Sequence, residues 1–96
     1  MPHRLPNYLR AHRKRAGLSQ KDVAFLLGCR VGAKVSRYER FAREPTLRAA
    51  IACEIIFHAP VRELFAGIYE DVARLTERRA RQFARRLAGK RQKGRR

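Results

Sequence analysis

The sequence predicts an all-α fold, a five-helix domain followed by one long amphipathic C-terminal helix. Three observations carry that expectation. Apolar residues recur at helical spacing in short runs, each bounded by a capping residue or by Gly or Pro. Two of these runs, between Leu18 and Glu39, are joined by a tight turn, and the second is basic at its outward positions. Beyond Gly67 the composition shifts to a stretch without Gly or Pro, Tyr69 to Leu87, that is acidic at its start and rich in Arg at its end.

The elements follow in order. Met1 to Pro6 has two prolines and little apolar pattern, so residues 1–6 are expected to be a flexible arm. Residues 7–67 form the domain. Asn7 is a candidate cap for a first helix to Arg15, with Leu9 and Ala16 inward and Arg10, Lys14 and Arg15 outward, and Gly17 ends it. Ser19 caps the second helix, in which Val23, Ala24, Leu26 and Leu27 recur at helical spacing, and Gly28 stands where a left-handed stop is needed. The third helix, about residues 32–40, turns Val35 and Tyr38 inward. That leaves Lys34, Ser36, Arg37 and Arg40 outward, as a helix in a major groove requires. The chain then loops from Phe41 to Glu44, and Pro45 with Thr46 opens a fourth helix. Its Leu47, Ala50, Ile51, Ile55 and Phe57 are expected to be the back wall of the core. Ala59-Pro60 ends it, and Val61, Leu64 and Phe65 form a short fifth helix.

A C-terminal helix is assigned to 68–88. Glu70 and Asp71 near its start and arginines near its end suit the helix macrodipole. From Tyr69 to Leu87 it would be about 28 Å long. Tyr69, Val72, Ala73, Thr76, Ala80, Phe83, Ala84 and Leu87 line up as an apolar stripe, which must pack on something. It can fold back on the domain, pair with its copy in a homodimer, or bind another protein. Arg-rich flanks make two parallel copies repel, so an antiparallel or crossed pairing fits better. Gly89 and Gly94 interrupt the remainder, and 89–96 reads as a disordered basic tail.

Charge narrows the function. The 96 residues carry 24 Lys and Arg against 8 Asp and Glu, a net +16. Before Tyr69 there are 13 basic and 5 acidic residues and from there on 11 and 3, so each part carries +8. A solubilising surface usually mixes both signs. Charge of one sign throughout points to a polyanion, whose condensed counterions are released on contact. No run approaches the roughly 18–20 apolar residues of a membrane span, and the start, MPHRLPNYLR, lacks a signal peptide's apolar core. A cytoplasmic, nucleoid-associated protein is therefore expected. Cys29 and Cys53 have no metal-ligand spacing with each other or with His3, His12 and His58, and both read as packing thiols. With scattered histidines, no paired carboxylates in a plausible pocket and no phosphate-cradling glycine loop, no catalytic residue, metal site or cofactor is expected.

The stretches RKRAGLSQKDVAFLLG (Arg13 to Gly28), VSRYER followed by Arg43, Glu44 and Pro45, and VRELF (Val61 to Phe65) resemble the phage-repressor/Cro (XRE-type) family of helix-turn-helix DNA-binding domains. The resemblance covers Tyr8 to Phe65. It implies a transcription regulator that binds specific double-stranded DNA through the third helix, with Lys34, Ser36 and Arg37 near bases and phosphates. It further implies that Gln20 and Arg43 lie on the DNA backbone, and that Arg13 pairs with Glu39 as a structural ion pair. Two departures stand out. Gly28 and Glu39 are eleven residues apart where the family has ten, so the turn between Cys29 and Ala33 holds one extra residue; and Phe41 occupies the region where the family tends to place Gly. Two other functions remain open: an antitoxin whose C-terminal helix masks a toxin protein, and a basic RNA- or ribosome-associated protein.

Overall fold

The computed structural model describes residues 7–94, with side chains through Arg91. The arm expected over 1–6 and the last two residues of the tail lie outside that range. The described residues are all-helical: α1 (Leu9–Arg15), α2 (Gln20–Leu26), α3 (Ala33–Glu39), α4 (Leu47–Phe57), α5 (Val61–Leu64) and α6 (Ala66–Gly94). None of these helices is long and apolar enough to cross a membrane.

Local chemistry sets the boundaries. The Asn7 side-chain oxygen accepts from the Leu9 amide at 3.2 Å, and its amide nitrogen donates to the Tyr38 carbonyl at 2.8 Å. One buried Asn, just ahead of the N-cap Tyr8, thus bonds the first amide of α1 and fastens that end of the helix to the end of α3. Gly17 and Gly28 follow α1 and α2 at φ +73° and +78°, the left-handed region that a Cβ disfavours. Ser19 and Asp22 form a reciprocal capping box on α2, each side chain taking the other's backbone amide. Those hydrogen bonds hold the Asp22 carboxyl below its ordinary pKa. Thr46 caps α4 through the Ala49 amide, and a Glu54 oxygen takes the Val61 amide at 2.7 Å to start α5.

The core has two parts. Leu9, Tyr38, Ala50, Cys53, Ala59, Leu64 and Phe65 form the larger, and Val23, Ala24 and Val35 the smaller. Leu27 and Phe57 pack against both and join them. Burial pushes the Cys53 thiol up to about pKa 11, so it stays protonated and behaves as a small apolar group. Cys29 is half-buried against the smaller part.

Three expectations change. The inner face of α4 is Ala50 and Cys53 with Phe57 beside them, because Leu9, Tyr38 and Phe65 already fill the space and only small residues let the helix approach. Leu47, Ile51 and Ile55, expected in the back wall, fall on the outer side at 76%, 46% and 68% exposure. Ala16, expected inward just past the end of α1, is exposed as well, and so is Leu26, one of the apolar residues at helical spacing in α2. Finally, α6 neither begins at 68 nor stops at 88: it runs from Ala66 through Gly89 to Gly94. A Gly in an exposed helix costs only about 1 kcal/mol, and its neighbours Arg, Leu, Ala, Lys and Gln are good helix formers. The disordered tail expected from 89 is thus helical as far as Gly94.

Candidate nucleic-acid interface

The pairing of α2 with α3 rests on a close approach at their beginnings. A Cβ added to Gly32, which precedes α3, would sit 3.3 Å from the Gln20 Cβ and 3.4 Å from the Lys21 amide nitrogen. A side chain there would be tight against the start of α2, which would have to give by a few tenths of an ångström. In the turn before α3 Val31 is 61% exposed, while Val35, Tyr38 and Glu39 are all buried. These three residues make up the inner face of α3.

An ion pair locks α3 to α1. The Arg13 Nε donates to Glu39 Oε2 at 2.6 Å and Nη2 to Oε1 at 3.2 Å, while Nη1 donates to the Leu18 carbonyl at 2.9 Å. The two side chains are only 10% and 2% exposed. Hydrogen bonding to Glu39 raises the Arg13 pKa further above its ordinary value and outweighs the opposing effect of burial. Bidentate geometry in a desolvated setting makes this a strong interaction, but one that contributes only while both partners are present. Gln20 joins the pair: its Nε2 donates to Glu39 Oε1 at 3.1 Å. The side chain assigned by resemblance to a DNA phosphate thus turns toward the Arg13–Glu39 pair, half-buried.

With Val35, Tyr38 and Glu39 inward, Ala33, Lys34, Arg37 and Arg40 stand exposed on the other side of α3. Lys34 and Arg37 are both free. Ser36 is half-buried, and its hydroxyl accepts from Arg40 Nε at 3.1 Å, so it orients Arg40 on this face. Lys34 sits at the rim toward α4, on a cavity of about 240 Å³ that it shares with Arg48 and Thr46. Arg43 lies beyond the helix, on a groove of about 270 Å³ between the α3–α4 loop and the start of α6. Arg40, and Arg30 in the exposed turn, extend the basic surface on which Lys34 and Arg37 stand. Arg40 has a readable signal in its helical spacing from Arg37, whereas Arg30 lies in an irregular turn where periodicity says nothing.

Phe41 sits at φ +63°, a left-handed conformation in a non-Gly residue, where the family resemblance would place Gly. It forms the exit from α3, so the direction in which the Arg43 loop leaves depends on a strained residue. Among the described residues no group of three or more His, Cys, Asp or Glu side chains could hold a metal ion. Every buried side-chain nitrogen and oxygen among them has a hydrogen-bond partner, so no buried polar atom waits for a ligand.

Comparison with protein-family models, with characterised proteins and with solved structures finds no match.

Proposed function

We propose that the chain is a sequence-specific double-stranded-DNA-binding transcription regulator, with α3 entering the major groove. The observation that carries this reading is the division of α3 into a locked inner face and a free outer one. Val35, Tyr38 and Glu39 are buried, and Lys34, Arg37 and Arg40 project from the opposite side with no acidic residue among them. Arg and Lys are the side chains that reach guanine O6 and N7, and a helix held rigidly from behind can present them in one register. Arg30 and Arg43, exposed before and after α3, are the proposed phosphate contacts. Gln20 supports α3 through Glu39 in this reading.

The exposed stripe of α6, with Phe83 at 60% and Leu87 at 46% exposure, supports self-association of the regulator as a homodimer through this helix. The same stripe favours the antitoxin reading as the second choice, in which a protein partner covers it.

The deciding experiment is selection of bound duplexes from a random pool, followed by titration of the selected and a scrambled site. Replacing Lys34 and Arg37 by Ala should cost about 1–3 kcal/mol of cognate affinity for each side chain that reads a base, and should reduce the discrimination ratio. Equal weakening on both duplexes, with the ratio unchanged, would remove α3 as the reading helix.

A further inference from the structure

The outer part of α6 carries a second pattern. Gly67, Asp71, Arg74, Arg78, Arg81 and Arg85 succeed one another at steps of four and three, so they lie along one line of the helix. That line is on the side away from Phe83 and Leu87. Its lower end is fixed in space, because Gly67 and Asp71 line the groove they share with Phe41, Arg43 and Glu44. The line of arginines thus starts beside the α3–α4 loop and climbs away from it along a continuous helix.

Arg74 bonds Asp71 at 2.5 Å, which neutralises the lowest step. Arg78, Arg81 and Arg85 are exposed, and the line holds no acidic residue beyond Asp71. Glu77, one turn before Arg81, stands at its edge. At 1.5 Å rise per residue the three arginines span roughly 10 Å. This is about the screening length at 0.1 M salt, so their fields add. Ordinary charged helix faces mix signs at such spacing; here Glu77 stands four residues before Arg81, but past Glu77 the helix holds no acidic residue, and that single sign is maintained at a cost in self-repulsion. A ligand with its own dense row of negative charge offsets that cost, and duplex DNA presents one phosphate per roughly 1.7 Å of axis.

We propose that Arg78, Arg81 and Arg85 form a phosphate-tracking ladder, a second and sequence-independent duplex contact continuous with the surface around Arg43. The proposal rests on duplex DNA being the ligand of α3. The two are separable, because α3 governs the ratio between sites and the ladder governs the salt dependence common to all sites.

The test is titration of the full chain against cognate and scrambled duplexes between 50 and 200 mM salt. The variants are Arg78→Gln/Arg81→Gln/Arg85→Gln and a charge-matched control on α1, Arg10→Gln/Lys14→Gln/Arg15→Gln. Gln preserves helix propensity, and circular dichroism would verify that α6 persists. Each phosphate contact contributes about 0.9 to the slope of log affinity against log salt, so the ladder variant should be shallower by about 2.7. Over that fourfold range wild type should then lose about 40-fold more affinity than the variant, equally on both duplexes. The control should keep the wild-type slope. An unchanged slope in the ladder variant, or an equal flattening in the control, would overturn the proposal. So would ladder-dependent binding to phosphatidylserine vesicles with no slope change on duplex, which would assign the line to an anionic membrane surface. If wild type fails to distinguish the two duplexes, the reading of α3 falls while the slope comparison still judges the ladder.

Discussion

The helices α3 and α6 both turn basic residues outward, and they are held in opposite ways. In α3, seven residues long, Val35, Tyr38 and Glu39 are all buried, and α1, α2 and the Asn7 side chain all bond to it or to its neighbours in the pair. In α6, 29 residues long, Ala66 is buried and Ile68, Ala73 and Leu75 are half-buried, whereas every described side chain from Thr76 on is exposed. Position matters differently in the two. A side chain that distinguishes bases has to be placed within fractions of an ångström, and α3 has the scaffolding for that. A row of charges that follows a phosphate backbone tolerates displacement, and a helix anchored at one end is adequate for it.

The largest effect that would break this comparison is expected at Glu39. Glu39→Ala leaves Arg13 charged and 10% exposed without its partner, and removes the acceptor of Gln20. The expected loss is about 3–5 kcal/mol, much of what a small domain possesses. Thermal or denaturant unfolding measures it directly. An unchanged melting temperature would mean that α3 is no better anchored than α6.

A smaller effect is expected at Phe83. If two chains associate through the α6 stripe, Phe83→Asp should raise the dimer dissociation constant, read by sedimentation, by at least about tenfold, or 1.4 kcal/mol. Wild type that sediments as a monomer at high micromolar concentration would leave the stripe to a different protein. Smallest is Phe41→Gly. Removing the left-handed strain at φ +63° competes with the loss of a 52%-exposed ring and with the entropy of Gly. A net gain of about 0.5–1 kcal/mol, a few degrees in melting temperature, is expected. A decrease in stability would show that the ring's packing in the Arg43 groove outweighs the strain.

Much of this fold is legible in the sequence where a residue type has one physical use. Ser19 caps a helix, Gly17 and Gly28 take positive φ, and Pro45-Thr46 starts α4; local chemistry alone suffices for each. Legibility fails where packing chooses between two faces. In α4 Ala50 and Cys53 are expected inside and are buried, but Leu47, Ile51 and Ile55 share the helical pattern, and hydrophobicity alone draws the larger residues inward as well as the smaller. The space left by Leu9, Tyr38 and Phe65 favours the smaller. At the candidate interface, the outward positions of α3 follow from periodicity. The turn of Gln20 toward Glu39 does not, because it depends on how near the start of α2 comes to the end of α3. The meeting of Arg13 and Glu39 likewise spans 26 residues and has no local sign in the sequence beyond the family resemblance. Gly89 shows the reverse error, a breaker overruled by good helix formers on both sides.

The unsupported length of α6 has a thermodynamic consequence. Past Thr76, among the described residues, its hydrogen bonds close within the helix, and neighbouring turns, not a core, hold each turn in place. Such a segment obeys a helix–coil equilibrium, graded in temperature and loosest far from the core, because packing and not propensity supplies most helical stability in proteins. Its amides should exchange with solvent far sooner than those of Val23 or Leu64, which open only when the domain unfolds. Melting followed by circular dichroism would then be sloped before the cooperative step, and the slope would belong to the outer part of α6. Anything that settles along the outer part of α6 has to complete its helix, so occupancy of this segment and its order rise together.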